Sequence, residues 1–254
     1  MHLRLNTLLI GSALVALTAT AQEKPVKPTE NVDTLTAKNI QAKGGAQALQ
    51  AMQSIQLKGK LLVNNGQMEL AYAQTKKRPE NVRSELTLQG MTMVQAYDGK
   101  EGWKISPFQG RKDPEKMSAD DTKSLIEEAE IDGALVNWKE KGSTVEYLGT
   151  EDIDGTMAHK LKVLRKNGDV NYVYLDPDHF LEIRVVTQRT VQGAQVETET
   201  DLGEYEKVGG VFVPFAIEGG MKGSSDKQKL VIEKADVNVP VEDASFHFPA
   251  TAAK

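Results

Sequence analysis

The residues best suited to chemistry lie in the segment DPDHF, at positions 176–180. Asp176 and Asp178 supply two carboxylates beside the imidazole of His179, a set of groups that suits a metal ion or a hydrolytic reaction. An Asp-Pro step between two strands is also an ordinary turn signal. A real site would need further ligands from elsewhere in the chain, so a hydrolase or metal site here is kept as an alternative behind two binding functions.

Other signals of catalysis are missing from the sequence. There is no cysteine, and His159 shares an alternating face with apolar residues, as a structural histidine does. The segment EDIDG at 151–155 lacks the carboxylates that a calcium loop needs at its first and last positions, here Thr150 and Leu161. Hydrolase, zinc-protease and phosphate-loop motifs do not occur. The sequence therefore predicts no enzyme, no catalytic residue, no metal and no cofactor.

Composition narrows the classes of partner. The 254-residue chain has a formal net charge of −5 and no basic cluster, which argues against nucleic acid and against anionic membrane surfaces. Without cysteines the fold must be stabilised by a packed core and not by disulfides. All-β chains of this size commonly form one domain.

The N-terminal stretch MHLRLNTLLIGSALVALTATAQ is typical of a targeting segment. A basic residue, Arg4, precedes an apolar run at 8–17, and a small-x-small pattern ends at Ala21. The run is too short for a permanent membrane span. We therefore expect a signal peptide at 1–21, a flexible polar leader at 22–32, and export to the periplasm or beyond, with no membrane span in the mature form.

Most of the remaining chain alternates between apolar and polar residues. The segment SIQLKGKLLV, at 54–63, places Ile55, Leu57 and Leu61 on one face, and Asn64-Asn65-Gly66 after it indicates a hairpin. Similar segments recur to residue 237, separated by Asp-Gly, Asn-Gly, Asp-Pro and Gly-Gly turns. The pattern predicts an α+β fold, mainly β, with about eleven antiparallel strands in an unclosed or half barrel.

Two amphipathic regions interrupt the strands. One covers 33–52, and the other is a helical insertion at 113–142, which Ser118 can cap. We expect one β domain at 33–249 and a tail at 250–254. A sheet with one apolar face must cover that face, and helices covering it leave room for an acyl chain, which gains ~0.8 kcal/mol per buried CH₂. A core filled by tightly packed helices is the alternative.

Several stretches together resemble a known family. They are the early AKNIQAKGGAQALQAMQSIQLKGKL, the hairpin YDGKEGWKISPF, the segment YLGTEDIDG followed by DPDHFLEIRVV, then LGEYEKVGGVFVPFAIE and the terminal FHFP. Their order is similar to that of the LolA/LolB-like superfamily, the periplasmic carriers related to outer-membrane lipoprotein-sorting proteins. The resemblance implies an unclosed β-barrel covered by helices, a carrier role for lipid or lipoprotein acyl chains, and an envelope transport complex or acceptor protein as partner.

The alternating faces and the helices supply candidate residues for the lining of an apolar ligand cavity. They are Leu70, Tyr72, Met91, Met93, Trp103, Phe108, Ile126 and Trp138. The flexible thioether of methionine suits an irregular apolar site. The main alternative is a non-catalytic module with a filled core that binds another envelope protein through an exposed edge or acidic face.

Overall fold

Thirteen antiparallel strands form one continuous sheet in the computed structural model, which describes residues 30–249. The predicted signal peptide, residues 22–29 of the predicted leader and the predicted tail lie outside the described residues. No helix within 30–249 is long and apolar enough to cross a membrane.

The two edge strands of the sheet come from the middle of the sequence. Its strands are β1 (Ser54–Val63), β2 (Met68–Lys77), β3 (Asn81–Leu88), β4 (Met91–Asp98), β5 (Gly102–Ser106), β6 (Arg111–Lys116), β7 (Thr144–Ile153), β8 (Thr156–Leu164), β9 (Val170–Leu175), β10 (Glu182–Val191), β11 (Ala194–Val208), β12 (Val211–Met221) and β13 (Gln228–Val237). They are ordered β6-β5-β4-β3-β2-β1-β13-β12-β11-β10-β9-β8-β7, so β6 and β7 are the two free edges. The sheet is therefore open, which confirms the predicted unclosed antiparallel architecture.

Local sequence explains most of this meander. The sequence predicted about eleven strands, and the sheet has thirteen. The hairpin between β1 and β2 turns at Asn64 and Asn65, whose φ angles are 52° and 54°. Asparagine tolerates this left-handed region better than most residues. Turn chemistry thus sets where each strand ends, and alternation sets which side chains share a face.

Strand β6 corrects one prediction, because four of its six residues, 113–116, belong to the predicted helical insertion at 113–142. Its sequence RKDPEK has no apolar face and contains Pro114, as expected of an edge strand that pairs on one side only. Of the remaining range, only α3 (Ala119–Ala129) is α-helical, and turns follow it from residue 131. Ser118 caps α3 as predicted, with its Oγ accepting from the backbone N–H of Asp121.

Two short helices precede the sheet. Helix α1 (Val32–Ala42) is capped by Asn31, whose side chain accepts from the backbone N–H of Thr34. Helix α2 (Ala46–Ala51) follows after Gly44 and Gly45. We call the sheet face that carries Leu57 and Tyr72 the inner face, and all three helices pack on it.

The core is divided along the inner face. Leu49 of α2 packs on β1, β12 and β13, while Leu35 of α1 packs on β8 and β9. Leu125 of α3 packs on Val82 and Tyr97 of β3 and β4. The opposite, outer face of the first strands is covered by the chain after β13, whose Phe246 is fully buried.

Candidate functional site

A cavity of about 470 Å³ lies on the inner face of the central strands. Its walls come from β1, β2, β10, β11, β12 and β13, from α2, and from the end of α3 with the turn after it. The lining residues are Lys43, Leu49, Met52, Ile55, Leu57, Tyr72, Gln74, Lys76, Glu128, Ile131, Glu182, Thr200, Tyr205, Val211, Phe212, Val213, Pro214, Ile217 and Leu230. This volume falls in the range of ~300–1,000 Å³ that holds one small ligand.

The floor of the cavity is apolar because consecutive strands present their inner residues in register. Leu61 lies opposite Leu70 on one side and Leu230 on the other, and Leu230 lies opposite Ile217. Leu57, four residues before Leu61 on β1, lies on the same face, and Leu57, Leu230 and Ile217 line the cavity. The result is a continuous apolar surface across several strands.

Polar groups line the cavity on two sides, and most of them have partners. Lys43 forms an ion pair with Glu182, at 3.4 Å, and donates to the carbonyl of Asp132 at 2.9 Å. On the other side, one carboxylate oxygen of Glu128 accepts from Gln74 and from the hydroxyl of Ser84, the latter at 2.9 Å. These contacts satisfy the charged groups that bound the cavity.

Lys76 is the exception. Among residues 30–249 its Nζ makes no hydrogen bond and no ion pair, although its neighbour Lys77 pairs with Asp243. Burial lowers the pKa of Lys76, an effect that Glu128 and Glu130 oppose in part. Tyr72 lies on the same strand face, and burial raises its pKa, so its hydroxyl stays protonated. The cavity wall therefore contains an amine that has no partner among residues 30–249 and whose desolvation lowers the stability of the fold.

Replacing this amine should stabilise the protein, so we expect Lys76→Met to raise the free energy of unfolding by roughly 0.5–2 kcal/mol at neutral pH. Because the pKa of Lys76 is lower in the folded state, the burial penalty is complete below that folded pKa. It disappears as the pH rises toward the ordinary value of 10.5. The advantage of the variant should therefore shrink between neutral pH and pH 10.5, as measured by urea unfolding.

The matched control is Lys58→Met, because Lys58 is an exposed lysine on the outer face of the adjacent strand. Its stability should stay within about 0.5 kcal/mol of the parent at every pH. A Lys76→Met variant that is no more stable than the parent would contradict the burial cost.

Helix α3 closes part of the inner face by bridging the two halves of the sheet. Thr122 packs directly over Gly102 of β5, where a Cβ would lie 2.7 Å from the Thr122 hydroxyl. On its other side, Glu127 pairs with Arg189 of β10, and Glu130 pairs with Arg165 beyond β8. The helix is therefore held by apolar packing on one half and by charge pairs on the other.

At the opposite end of the inner face, no helix of residues 30–249 covers the sheet. By strand register this end carries an apolar strip, which we define as Leu61, Leu70, Met91, Met93 and Met221. Met91 and Met221 remain 40% and 52% exposed. Leu70 is six residues from Lys76 along β2, about 20 Å at ~3.3 Å per residue. The apolar strip thus continues the cavity floor toward solvent.

The predicted lining residues divide into two groups. Tyr72 lines the cavity, and Leu70, Met91 and Met93 lie on the same inner face within the apolar strip. Phe108, by contrast, sits in a short 3₁₀ turn after β5 and is 39% exposed, away from the cavity.

The structure corrects the expected position of Trp103. It lies opposite Ala96 on the outer face, is 1% exposed, and donates from Nε1 to the carbonyl of Phe246 at 2.7 Å. Phe248 packs edge-on against its ring. The reason is strand parity: Gly102 faces inward toward α3, so the next residue must point outward.

Ile126 and Trp138 also lie outside the cavity. Ile126 packs beside Leu125 on β3 and β4 and borders a separate surface depression with Glu127 and Arg165. Trp138 is half-buried in the turns after α3, with the Nζ of Lys139 over its ring at 4.8 Å.

Sequence reasoning missed the polar lining on β2. In the segment MELAYAQTKK, Gln74 and Lys76 continue the alternating face of Leu70 and Tyr72. A lysine on a face that also carries core residues is a signal of a cavity or buried charge, and it was available from the sequence alone. Glu128 carried no such signal, because a glutamate on a charged helix is ordinary.

Residues 176–180, which the sequence offered as an alternative hydrolase or metal site, form a turn. The Asp176 carboxylate accepts from the backbone N–H groups of Asp178 and His179, at 3.0 and 2.7 Å, and from the His179 ring at 3.1 Å. The side chains of Asp178 and His179 are exposed. Within 30–249 no group of three or more His, Cys, Asp and Glu residues could hold a metal ion, so this loop lacks the converging ligands that a metal site would need.

Solved structures share this architecture. No protein-family model matches the sequence, and no curated protein matches it either. An outer membrane lipoprotein-sorting protein domain from Vibrio parahaemolyticus aligns with 85% of this chain and 97% of its own, at 13% identity and a TM-score of 0.59. A LolA superfamily protein from Nitrosomonas europaea aligns with 86% and 98%, at 13% identity and a TM-score of 0.56.

A DUF1329 family protein from Desulfovibrio piger gives similar values, with 12% identity, a TM-score of 0.57, and coverage of 86% of this chain and 98% of its own. At these identities the comparisons establish the fold. The chain therefore has a LolA-like fold, as the sequence resemblance implied.

Proposed function

We propose that this protein is an exported, non-enzymatic carrier that holds an acyl chain of a lipid or lipoprotein in the inner-face cavity. The observation that carries the proposal is the cavity itself, about 470 Å³ with an apolar floor, in a LolA-like fold. Each buried CH₂ contributes ~0.8 kcal/mol, so even a short chain gains useful affinity. The lipoprotein-sorting neighbour supports this choice of ligand class.

The apolar strip supplies the route for the chain. Its exposed methionines adapt to ligands of different shape. It joins the cavity floor at the end that none of the described helices covers. The acyl chain would enter there and lie along the strip into the cavity. An envelope transport complex or acceptor protein would then deliver or receive the ligand at the same end.

The competing function, a protein-binding module, depended on a filled core. The inner face instead holds a cavity bounded by residues of six strands and two helices. Strands β6 and β7 are free edges, but every open sheet has two free edges, whereas the cavity indicates a small ligand. The carrier is therefore the function that the geometry supports.

A cavity-filling variant tests the proposal. We expect Leu230→Trp to weaken binding of a fluorescent fatty acid by more than about tenfold, because the indole occupies the volume that the chain would fill. The measurement is fluorescence titration of the purified protein, with native mass spectrometry of gently purified protein to detect a retained ligand.

Leu62→Trp is the matched control, because it introduces the same substitution on the outer face of β1, where Leu62 lies opposite Lys229. Its affinity for the fatty acid should equal that of the parent. The proposal fails if the parent protein neither retains an acyl ligand nor takes up the probe, or if both tryptophan variants bind it as the parent does.

A further inference from the structure

The unpaired amine of Lys76 carries an inference about the head group of the ligand. The carboxylates that line the cavity already have partners: Glu182 pairs with Lys43, and Glu128 accepts from Gln74 and Ser84. Neither lies within ion-pair distance of the Lys76 Nζ. Lys76 is half-buried and has no partner among residues 30–249, and desolvating an ammonium without a partner costs free energy. A ligand that supplies an acceptor to this amine would therefore gain an interaction that the free protein lacks.

The position of Lys76 also suits contact with the polar head group of a ligand better than contact with its acyl chain. Along β2 the inner residues run from Leu70 and Tyr72 to Gln74 and Lys76, so polarity increases in one direction. The apolar strip is at one end and the amine at the other. An amphiphile bound along this axis would place its polar end at Lys76 and its chain on Leu57, Leu230 and Ile217.

We propose that the cavity selects single-chain ligands whose head is a carboxylate, which pairs with the ammonium of Lys76 inside the protein. This inference rests on the proposed acyl-carrier function and makes it more specific. A carboxylate is compact enough to share a cavity of about 470 Å³ with its own chain. Lysine, a point charge with three donors, suits such a single anionic group.

The test compares ligands of one chain length that differ only in the head. Dodecanoate, dodecanol and methyl dodecanoate are each titrated against the bound fluorescent fatty acid, using the parent protein, Lys76→Met and Lys58→Met. A charge-assisted hydrogen bond corresponds to roughly 10- to 100-fold in affinity. We expect the parent and Lys58→Met to prefer dodecanoate by that factor, and Lys76→Met to bind all three ligands alike.

The outcomes separate this inference from the proposed function. If the parent binds the acid and the alcohol equally, or if Lys76→Met keeps the preference for the acid, the role of Lys76 is overturned while acyl binding stands. If the parent protein takes up neither the probe nor any of the three ligands, the carrier function fails and this inference fails with it. Unfolding curves for each variant verify that the titrated protein is folded.

Discussion

Trp103→Ala should lower the free energy of unfolding by about 3–5 kcal/mol, the usual cost of removing a large buried aromatic side chain, and leave acyl binding unchanged. Trp103 is 1% exposed and lies among Val94, Ala96 and Phe248 on the outer face. The change also removes the donor to the carbonyl of Phe246. Both losses fall on the packing of the C-terminal segment, on the far side of the sheet from the cavity.

Urea unfolding measures the first effect, and titration with the fluorescent fatty acid below the unfolding transition measures the second. Trp138→Ala is the matched control, because this half-buried tryptophan should cost less on truncation. A Trp103→Ala variant that keeps its stability but loses the fatty acid would place Trp103 in the binding site, as the sequence suggested.

The second large effect concerns the ion pair that holds α2 against the turn after α3. Arg78 contacts Asp132 through both terminal nitrogens, and it donates to the carbonyls of Met52 and Leu49 at 2.8 and 2.9 Å. Leu49 and Met52 line the cavity. We expect Arg78→Met to cost about 3–5 kcal/mol, because it leaves the carboxylate of Asp132 buried and unpaired.

Urea unfolding is again the measurement, and Arg111→Met is the matched control. Arg111 pairs with Glu115 on the exposed edge strand β6, so its loss should cost less than about 1 kcal/mol. The double variant Arg78→Met with Asp132→Asn should recover part of the loss, since no uncompensated charge remains. Equal costs for the two arginine variants would contradict the structural role of the buried pair.

Much of the fold could be predicted from local sequence. Alternation and turn residues identified every strand except β6, and Ser118 marked the start of α3. These signals are local, because the period of two and the turn chemistry depend on neighbouring residues alone. β6 was missed because an edge strand of charged residues has no apolar face to reveal it.

The candidate site was only partly predictable. Alternation correctly placed Leu70, Tyr72, Met91 and Met93 on faces of their strands, and strand pairing then brought those faces together. The same alternation could not say which face of β5 is the inner one. That choice depends on α3 packing over Gly102, a contact between residues far apart in sequence.

The sequence by itself determined that the chain would form an open antiparallel sheet with helices on one side, because backbone alternation, turns and caps are encoded locally. Only the tertiary structure decided what each face does. It turned Trp103 outward, under the C-terminal segment, and it placed Lys76 in the wall of a cavity with no partner among residues 30–249. Both results depend on which distant segments cover a face, and burial, desolvation and pairing are properties of those contacts and not of the strand that carries the residue.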